Sequence, residues 1–341
     1  MDGSAGFYLM KDFKNGHTGG CKCGAIRYRT VPHTGNAYVC NCHFCQRTTG
    51  GPFLVEHCFT KDEIEVLEGV PLVYTHISEG SGKEVYLHFC RDCGSHLFLT
   101  LQRWGDTMNV FTTSFDNPQE VGFDAETLRY LFLEAAQSGT ITPKGFHAYE
   151  GHCAPADGSP AIEHVFGEHV LNSETDQGSG PHTGGCLCGN VRYEADDQPV
   201  AVVICHCRSC QKSLGSGVNF ELLWDPDKFR ITKGTPVVHR HRGGSGKALE
   251  KRFCGNCGTA IWLTGERFDE VGVFRGTLDR PNRIDVSPKT ALQIFLSEAL
   301  PSGTVIAGIE AFDAHRRAPD GSINTGRTYD QHWRVGDGSG L

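Results

Sequence analysis

The sequence has little net positive charge, no long hydrophobic run and few segments with a helical pattern. Its 341 residues carry 32 Lys and Arg against 40 Asp and Glu, which gives a formal net charge of −8. Because binding to nucleic-acid phosphates requires a concentrated basic surface, this balance argues against a nucleic-acid partner. No apolar run approaches the roughly 20 residues that span a bilayer, so no membrane segment is predicted.

The first residues also lack the pattern of a secretory signal. The segment Met1–Gly6 has no basic stretch followed by an apolar one. The predicted location is therefore cytoplasmic, where thiols stay reduced. Clustered cysteines in that compartment bind metal or act in catalysis more often than they form disulfides, and the 16 cysteines are interpreted in that way.

The cysteines form a pattern that occurs twice. A Cys-x-Cys-x-x-Cys motif spans Cys40–Cys45 and returns at Cys205–Cys210. In each copy it lies between a Gly-Gly-Cys-x-Cys-Gly turn and a Phe-Cys-x-x-Cys-Gly segment. This is a tandem duplication, so the two copies can be compared with each other. Cys58 and Cys153 have no counterpart and are interpreted as ordinary core or surface thiols.

The repeat predicts the domain organisation directly. Two domains are expected at 17–148 and 182–315, each long enough for a core of its own. A leader (1–16) precedes the first, a Gly-, Pro- and Ser-rich linker (149–181) separates the two, and a mobile or surface-draped tail (316–341) ends the chain.

Short strands divided by Gly and Pro turns dominate the predicted secondary structure. Alternating apolar and polar residues predict strands at Ala25–Arg29, Glu84–Phe89 and His96–Thr100. The strongest helix candidates are Phe123–Glu134 and its echo at Thr290–Glu298, for which strands are the alternative. An edge strand is also expected within the leader, at residues 7–10. The predicted fold class is mostly β.

Phe-Cys-x-x-Cys-Gly, at Phe89–Gly94 and Phe253–Gly258, is the local form of a zinc knuckle. Two thiolates cap a tight turn, and the final glycine tolerates a positive φ. A knuckle supplies two of the four ligands of a tetrahedral site. The Cys-x-Cys hairpin upstream offers the other two, and a closed site of this kind would be a structural zinc that contributes folding free energy.

Subtracting those four cysteines leaves three in each copy, and three protein ligands are typical of an open zinc site. The fourth position can then hold water or a substrate thiol, which the ion would deprotonate and orient. The alternative is that a His, Asp or Glu supplies a fourth ligand and both zincs are structural. The residues alone leave this partition open.

The ordered motifs resemble those of the glutathione-dependent formaldehyde-activating enzyme family, also called the centromere protein V type domain. The resemblance covers both repeats. The motifs that carry it are Gly-Gly-Cys-x-Cys-Gly-x-[Ile/Val]-Arg-Tyr, the three-cysteine motif followed by Gln-[Arg/Lys], Ser-Gly-Lys at Ser81–Lys83 and Ser245–Lys247, the knuckle, and Thr-Leu-Asp-x-Pro at Thr277–Pro281.

The resemblance implies two tandem Mss4-like zinc-binding β domains with up to four zinc ions per chain. It implies that the structural zinc ligands are Cys21, Cys23, Cys90 and Cys93 in the first copy and Cys186, Cys188, Cys254 and Cys257 in the second. It implies that the catalytic ions are held by Cys40, Cys42 and Cys45 and by Cys205, Cys207 and Cys210. The namesake activity is addition of the glutathione thiol to formaldehyde.

Two departures from the family pattern fall in the first copy. Asn41 stands where the second copy has His206, the more typical residue, and the Gly-Thr-Leu-Asp segment has become Thr113–Asp116. The second copy is therefore expected to hold the better site. Members of the family also usually carry a single domain.

Several polar residues recur in both copies and are candidate helpers. Arg27 and Arg192 are interpreted as strand-surface or ion-paired residues, with a carboxylate clamp as the alternative. Glu56 and Glu221 are interpreted as rim carboxylates, with a general base as the alternative. The histidines are interpreted as mostly specific to one copy.

The functional hypothesis is a zinc-dependent carbon-sulfur lyase or synthase that uses glutathione as a cosubstrate. Its partners would be a small-molecule thiol and an electrophile, either formaldehyde or a larger carbonyl compound in a biosynthetic pathway. The alternative is a non-catalytic zinc module that binds a protein partner.

Overall fold

The computed structural model describes residues 11–33, 35–123, 125–243, 246–318 and 320–337. The edge strand predicted at residues 7–10 and the last residues of the predicted tail lie outside this part of the chain. The described residues form a mostly β structure with two short α-helices, α1 (His43–Thr49) and α2 (Arg208–Leu214). The predicted fold class is confirmed. No helix in the described ranges has the length and apolar character to cross a membrane.

The first copy contains a small sheet and a large one. Its strands are β1 (Thr18–Gly20), β2 (Arg27–Thr30), β3 (Ala37–Cys40), β4 (Leu54–Thr60), β5 (Ile64–Glu68), β6 (Leu72–Ile77), β7 (Glu84–Phe89), β8 (His96–Leu101), β9 (Thr107–Phe111), β10 (Leu128–Leu131), β11 (Ile141–Thr142) and β12 (His147–Tyr149). Two further strands follow, β13 (Glu163–Val165) and β14 (Val170–Leu171). The small sheet has the order β1-β2-β5, and the nine-stranded sheet has the order β13-β12-β10-β3-β4-β9-β8-β7-β6.

The second copy repeats this plan with a seven-stranded sheet. Its strands are β15 (His182–Gly185), β16 (Arg192–Ala195), β17 (Ala201–Cys205), β18 (Asn219–Trp224), β19 (Phe229–Lys233), β20 (Val237–Arg242), β21 (Ala248–Phe253), β22 (Ala260–Gly265), β23 (Phe268–Phe274) and β24 (Ala291–Ile294). The small sheet is β15-β16-β19 and the large one β20-β21-β22-β23-β18-β17-β24. A last pair, β25 (Thr304–Val305) and β26 (Trp333–Arg334), forms a separate ribbon.

The predicted strands are confirmed where the pattern alternates. In β7, Val85, Leu87 and Phe89 are buried while the residues between them are partly exposed, which is the period of two that the sequence shows. Strand β8 is buried along almost its whole length, and its first residue, His96, lies against the second copy, with its Nε2 atom 3.0 Å from the carbonyl oxygen of Cys257.

The helices predicted at Phe123–Glu134 and Thr290–Glu298 do not form, and the alternative of strands holds, since these segments contain β10 and β24. Strand β10 pairs in parallel with β3, and β24 pairs in parallel with β17, so that pairing within the sheet overrides helical propensity. Directly after these strands, Phe132 (φ 57°) and Phe295 (φ 59°) adopt left-handed backbone conformations, which a right-handed helix cannot contain.

The two α-helices instead begin inside the three-cysteine motifs. The thiols of Cys42 and Cys207 are the N-caps, and each accepts the backbone N–H three residues later. Each helix ends two turns on at a left-handed glycine, Gly50 (φ 74°) or Gly215 (φ 91°). A helix of two turns carries too little periodicity to be seen in the sequence.

The two copies pack against each other through equivalent surfaces. Helix α1 contacts the 3-10 turn Arg275–Thr277 of the second copy, and α2 contacts the matching turn Thr112–Ser114 of the first. The backbone N–H of Gly276 donates to the carbonyl of Gly50 at 2.8 Å, so the backbones of the two copies approach closely at this point. The hydrophobic core of the second copy also includes apolar residues of the first. The interface is therefore continuous with the cores.

Parts of the segments outside the two predicted domains are packed. Within 149–181, β13 extends the nine-stranded sheet by pairing with β12, and β14 pairs with β11. Within 316–337, β26 pairs with β25, and the Arg334 guanidinium donates to the carbonyl of Phe123 at 2.9 Å. The side chain of Trp333 is buried beside it.

Candidate metal centres

The structure gathers fourteen of the sixteen cysteines into four clusters. In each cluster the sulfur atoms all lie within 4.8 Å of one another. The four-cysteine sets are Cys21, Cys23, Cys90 and Cys93, and Cys186, Cys188, Cys254 and Cys257. The three-cysteine sets are Cys40, Cys42 and Cys45, and Cys205, Cys207 and Cys210. Cys58 and Cys153 join none of them.

The four-cysteine sets have the geometry of a tetrahedral metal site. The Sγ atoms of Cys21 and Cys23 are 3.5 Å apart, and those of Cys23 and Cys90 are 3.7 Å apart. The second copy repeats these separations between Cys186, Cys188 and Cys254, at 3.5 and 3.6 Å. Four thiolates around one zinc ion at about 2.3 Å would be separated by about 3.8 Å. The donor set and its spacing therefore fit zinc.

The knuckle turns adopt the backbone that their sequence predicts. Gly94 (φ 68°) and Gly258 (φ 75°) are left-handed, and each donates its N–H to the first knuckle cysteine. Each turn also packs against the other copy. A Cβ on Gly94 would lie 2.6 Å from the ring of Phe253, and one on Gly258 would lie 2.7 Å from the ring of Phe89. Glycine is thus required for the contact as well as for the turn.

The three-cysteine sets sit at the start of the two α-helices. Cys40 and Cys205 end strands β3 and β17, and the next two cysteines belong to the cap and first turn of the helix. The N–H of Cys210 donates to the Cys207 thiol at 3.3 Å. Bonds from the neighbouring Cys205 thiol and from this N–H hold the pKa of Cys207 well below its ordinary value.

Neither three-cysteine set has a fourth protein ligand in the ranges that the structure describes. No histidine, cysteine or carboxylate atom joins either group of three thiols. Beside Cys210 lies a cavity of about 10 Å³, which is close to the space that one water needs. Three thiols fill three of the four positions of a tetrahedral ion, so the described residues leave the fourth position of each set without a protein ligand.

Glu56 and Glu221 are buried in the sheets next to these sets, so their interpretation as rim carboxylates is wrong. Their exposed fractions are only 6% and 8%. Burial raises the pKa of each carboxyl to about 8, and the nearby thiol of Cys42 or Cys207 adds to the rise. Both carboxyls are therefore protonated at neutral pH and can donate a proton beside the thiols.

The residue between the first two cysteines differs between the copies in its bonding. In the first copy the Asn41 side chain donates to the carbonyl of Leu131 at 2.9 Å. In the second, His206 is buried and neither ring nitrogen has a partner among the described residues. Burial lowers the pKa of His206 to about 4, so its ring is neutral.

Phe295 and Phe312 pack with the thiols of the second copy's three-cysteine set, and a cation and polar side chains lie on the side of Cys210. The cavity beside Cys210 is also lined by Ser209, His241 and Lys251. The Lys251 ammonium is buried and donates to the carbonyl of Ser213 at 3.0 Å. Burial lowers the pKa of Lys251 to about 8.

Apolar side chains surround the first copy's set. Cys40 and Cys45 belong to one buried cluster with Leu87, and Phe44 and Leu187 pack against that cluster. Leu187 comes from the second copy. The hairpin registers pair Leu87 with Tyr74 and Lys251 with His239, which makes Leu87 the counterpart of Lys251.

One recurring pair of histidines was missed by the sequence analysis. Strand pairing aligns His76 with Val85 and His241 with Leu249, which makes the two histidines equivalent. The His76 ring stacks on Phe44 at 4.8 Å between centroids, and His241 lines the cavity beside Cys210. Residue numbers in the two copies differ by 165 in the first strand of this hairpin and by 164 in the second strand. An alignment of the first strands with the offset of 165 pairs His76 with His241.

Arg27 and Arg192 are ion-paired within the copies. The guanidinium of Arg27 donates to both oxygens of Asp116, at 3.0 and 2.5 Å, and Arg192 forms the same bidentate pair with Asp279. The interpretation of these arginines as ion-paired residues is confirmed. Neither guanidinium is free to clamp a substrate carboxylate.

Two tandem β domains, each with one four-cysteine and one three-cysteine cluster, define the class of protein. A family model described as glutathione-dependent formaldehyde-activating enzyme matches residues 16–129 and again residues 181–298, which together make up more than half of the chain. The chain belongs to this family, as the resemblance predicted.

The individual relatives cover a smaller share of this chain than the family model does. A curated Halomonas elongata protein named "Putative glutathione-dependent formaldehyde-activating enzyme" is 29% identical over 102 residues, which cover 29% of this chain and 65% of that protein. A Rhodobacter sphaeroides protein of known crystal structure is 20% identical and aligns with 32% of this chain and 97% of its own, with a TM-score of 0.24.

Proposed function

We propose that this protein is a zinc-dependent enzyme of the carbon-sulfur lyase type that acts on a glutathione adduct of formaldehyde or of a larger electrophilic small molecule. The observation that carries the proposal is the pair of three-thiol clusters that have no fourth protein ligand among the described residues. The family match supports the use of glutathione.

The four-cysteine sets are assigned a structural role. Their thiols are mostly buried, they supply all four ligands of a tetrahedral ion, and they join the start of each domain to its middle. The three-cysteine sets are assigned the catalytic role. A zinc ion held there would supply Lewis acidity and lower the pKa of a thiol in its fourth position.

The chain supplies a proton donor for the carbon-oxygen group. In the synthetic direction the thiol sulfur forms a bond to the carbonyl carbon and the carbon-oxygen π bond breaks. Glu221 donates its proton to the oxygen, and the proton that the thiol loses on binding restores the protonated carboxyl. In the reverse direction the same groups cleave the carbon-sulfur bond. Glu56 holds the matching place in the first copy.

The test is zinc stoichiometry with zinc-edge X-ray absorption, with and without glutathione, on wild type, Cys42→Ser and Cys207→Ser. We expect about four zinc ions per chain and a gain of sulfur ligands at the three-cysteine sites when glutathione is added. The variant that abolishes the gain identifies the working copy. Two zinc ions, or four with no response to glutathione, would overturn the enzymatic proposal and favour a non-catalytic zinc module.

A further inference from the structure

The three-cysteine sets share their ligands but differ in the charge around them, and this difference bears on what each can bind. The inference rests on the proposed function, because it takes each set to hold a divalent ion with one open position. Three thiolates and one divalent ion carry a net charge of −1. A thiolate in the fourth position makes the net charge −2. A buried site with that charge is costly unless cations compensate it.

The second copy's set has a buried cation of its own. Lys251 lines the same cavity as Cys210 and His241, and its side chain is 1% exposed. Its one acceptor among the described residues is the carbonyl of Ser213, which lies on the helix that carries Cys210. An ammonium has three donors, so this bond leaves two donors and the positive charge of the protonated form beside Cys210.

A second cation reaches this set from the other copy. Lys22 lies between Cys21 and Cys23, and its ammonium donates to the Ser209 hydroxyl at 3.0 Å. Ser209 lies between Cys207 and Cys210, on the first turn of α2. The interface between the copies therefore delivers a lysine to the motif that carries the thiols.

The first copy lacks both cations at the equivalent positions. Leu187 replaces Lys22, Leu87 replaces Lys251, and Phe44 replaces the hydroxyl of Ser209. These side chains pack on or within the cluster that contains Cys40 and Cys45. Around this set, a second negative charge would lack the two lysines, and the nearby titratable groups are His76, His152 and Glu56.

We propose that Lys251 and Lys22 make the second copy's three-cysteine site the one that accepts an anionic thiolate, and that the first copy's site, with Leu87 and Leu187 at the equivalent positions, disfavours one. The lysines act as specificity-determining residues because they set the charge that the site tolerates. The first site is left to a neutral fourth ligand, such as water or a carbonyl compound.

A competing role for Lys251 is compensation of the first copy's four-cysteine cluster. Cys90 and Cys93 are close enough to Lys251 to act on its charge. If that were its sole role, its removal would loosen the metal held by four cysteines and leave thiol binding in the second copy unaltered. The experiment has to separate these outcomes.

The test uses the full chain loaded with cobalt(II), whose thiolate charge-transfer absorption reports sulfur ligation, and 2-mercaptoethanol as the probe. Cys42→Ser removes a ligand from the first set, so that titration reports the second, and Cys207→Ser does the reverse. We expect the second site to bind the thiol at least about ten-fold more tightly than the first. In the Cys42→Ser background, Lys251→Leu should weaken binding about ten-fold, whereas Lys251→Arg should change it less than about three-fold.

Two further variants keep the test decisive if Lys251→Leu does not fold. Lys22→Leu, at a partly buried position, should weaken thiol binding at the second site by about three-fold or more. In the Cys207→Ser background, Leu187→Lys with Phe44→Ser installs the second copy's groups beside the first set and should tighten binding there.

Unchanged thiol affinity in the lysine variants would overturn the inference while leaving the proposed function intact. Loss of cobalt from the first copy's four-cysteine cluster in Lys251→Leu, with thiol affinity retained, would assign Lys251 to the competing role and also overturn it. Failure of both sites to gain sulfur in any background would instead overturn the proposed function itself.

Discussion

The two halves hold their three-cysteine sets in the same way and surround them differently. In the first half, Leu87 and Phe44 pack with the thiols; in the second, Lys251 and Ser209 occupy those places. The ligand geometry follows from a strand end and a two-turn helix that both halves share. The comparison teaches that the local backbone fixes how a metal is held, whereas the side chains packed around the thiols set which further ligand is tolerated.

The largest expected effect tests whether the halves are independent. Cys90→Ser and Cys254→Ser each remove one ligand of a four-cysteine set, and the lost metal affinity should destabilise the protein by more than about 5 kcal/mol. Because each knuckle packs on a phenylalanine of the other half, we expect hydrogen exchange to rise in both halves in either variant. Cys153→Ser is the matched control and should leave exchange unchanged. A rise in hydrogen exchange confined to the mutated half would show that the two halves do not unfold as one cooperative unit.

Arg275 and Thr112 occupy equivalent positions in the two halves, but within the described residues only Arg275 of the two bonds across the interface, so the pair tests how asymmetric the interface is. Arg275 is fully buried and donates to the carbonyl and hydroxyl of Ser138 in the first half, at 2.5 and 2.6 Å. Arg275→Met leaves those acceptors unpaired and should cost about 3 kcal/mol in denaturant unfolding. Thr112 instead bonds to His57 of its own half at 2.7 Å, so Thr112→Val should cost about 1 kcal/mol. Equal costs for the two would contradict the asymmetry.

The buried carboxyls give a pH dependence that both halves should share. Burial raises the pKa of Glu56 and Glu221 from 4.5 to about 8. Folding therefore favours the protonated form, and the stability this contributes is complete below pH 4.5 and is lost as the pH rises through 8. Glu221→Gln cannot ionise, so between pH 6 and pH 8 it should gain about 2 to 3 kcal/mol relative to wild type.

Glu56→Gln is the matched variant in the first half. The Asn109 side chain acts to lower the pKa of the Glu56 carboxyl, whereas Gly272, which has no side chain, stands at the equivalent place beside Glu221. The gain for Glu56→Gln should therefore be the smaller of the two. Urea unfolding at several pH values measures both, and a difference from wild type that does not vary with pH would show that the carboxyls are ionised throughout.

The smallest expected effect concerns the basic residue that follows each three-cysteine motif. Arg47 donates to the carbonyls of Gly185, Thr277 and Leu278 and to Asp279 in the second half, at 2.8 to 3.2 Å. Its counterpart, Lys212, makes one side-chain hydrogen bond within the described part of the chain, to Asp116 at 3.0 Å. Arg47→Met should cost about 1 to 2 kcal/mol and Lys212→Met about 0.5 kcal/mol, since both groups are partly solvated. A larger cost for Lys212→Met would reverse the comparison.

The sequence predicted the β class, several strands and the family because those features follow from local pattern. Alternation in Glu84–Phe89 and the glycine after each knuckle report their surroundings directly. The pattern of Phe123–Glu134 favoured a helix and left a strand as the alternative, and parallel pairing with a distant strand decides for the strand. The burial of Glu56 and the placing of Lys22 beside Ser209 depend on contacts between remote segments, which leave no periodic trace.

The equivalent surfaces through which the halves meet have a consequence for how the two sites can diverge. If two identical single-copy chains met through this surface as a symmetric dimer, a lysine donated across the interface would appear at both sites at once. In the tandem chain each position on the surface is encoded twice and separately, so Lys22 can serve one site while Leu187 serves the other. Covalent linkage thereby removes the requirement that the two sites be identical, and a single polypeptide can carry two metal sites with different chemical preferences.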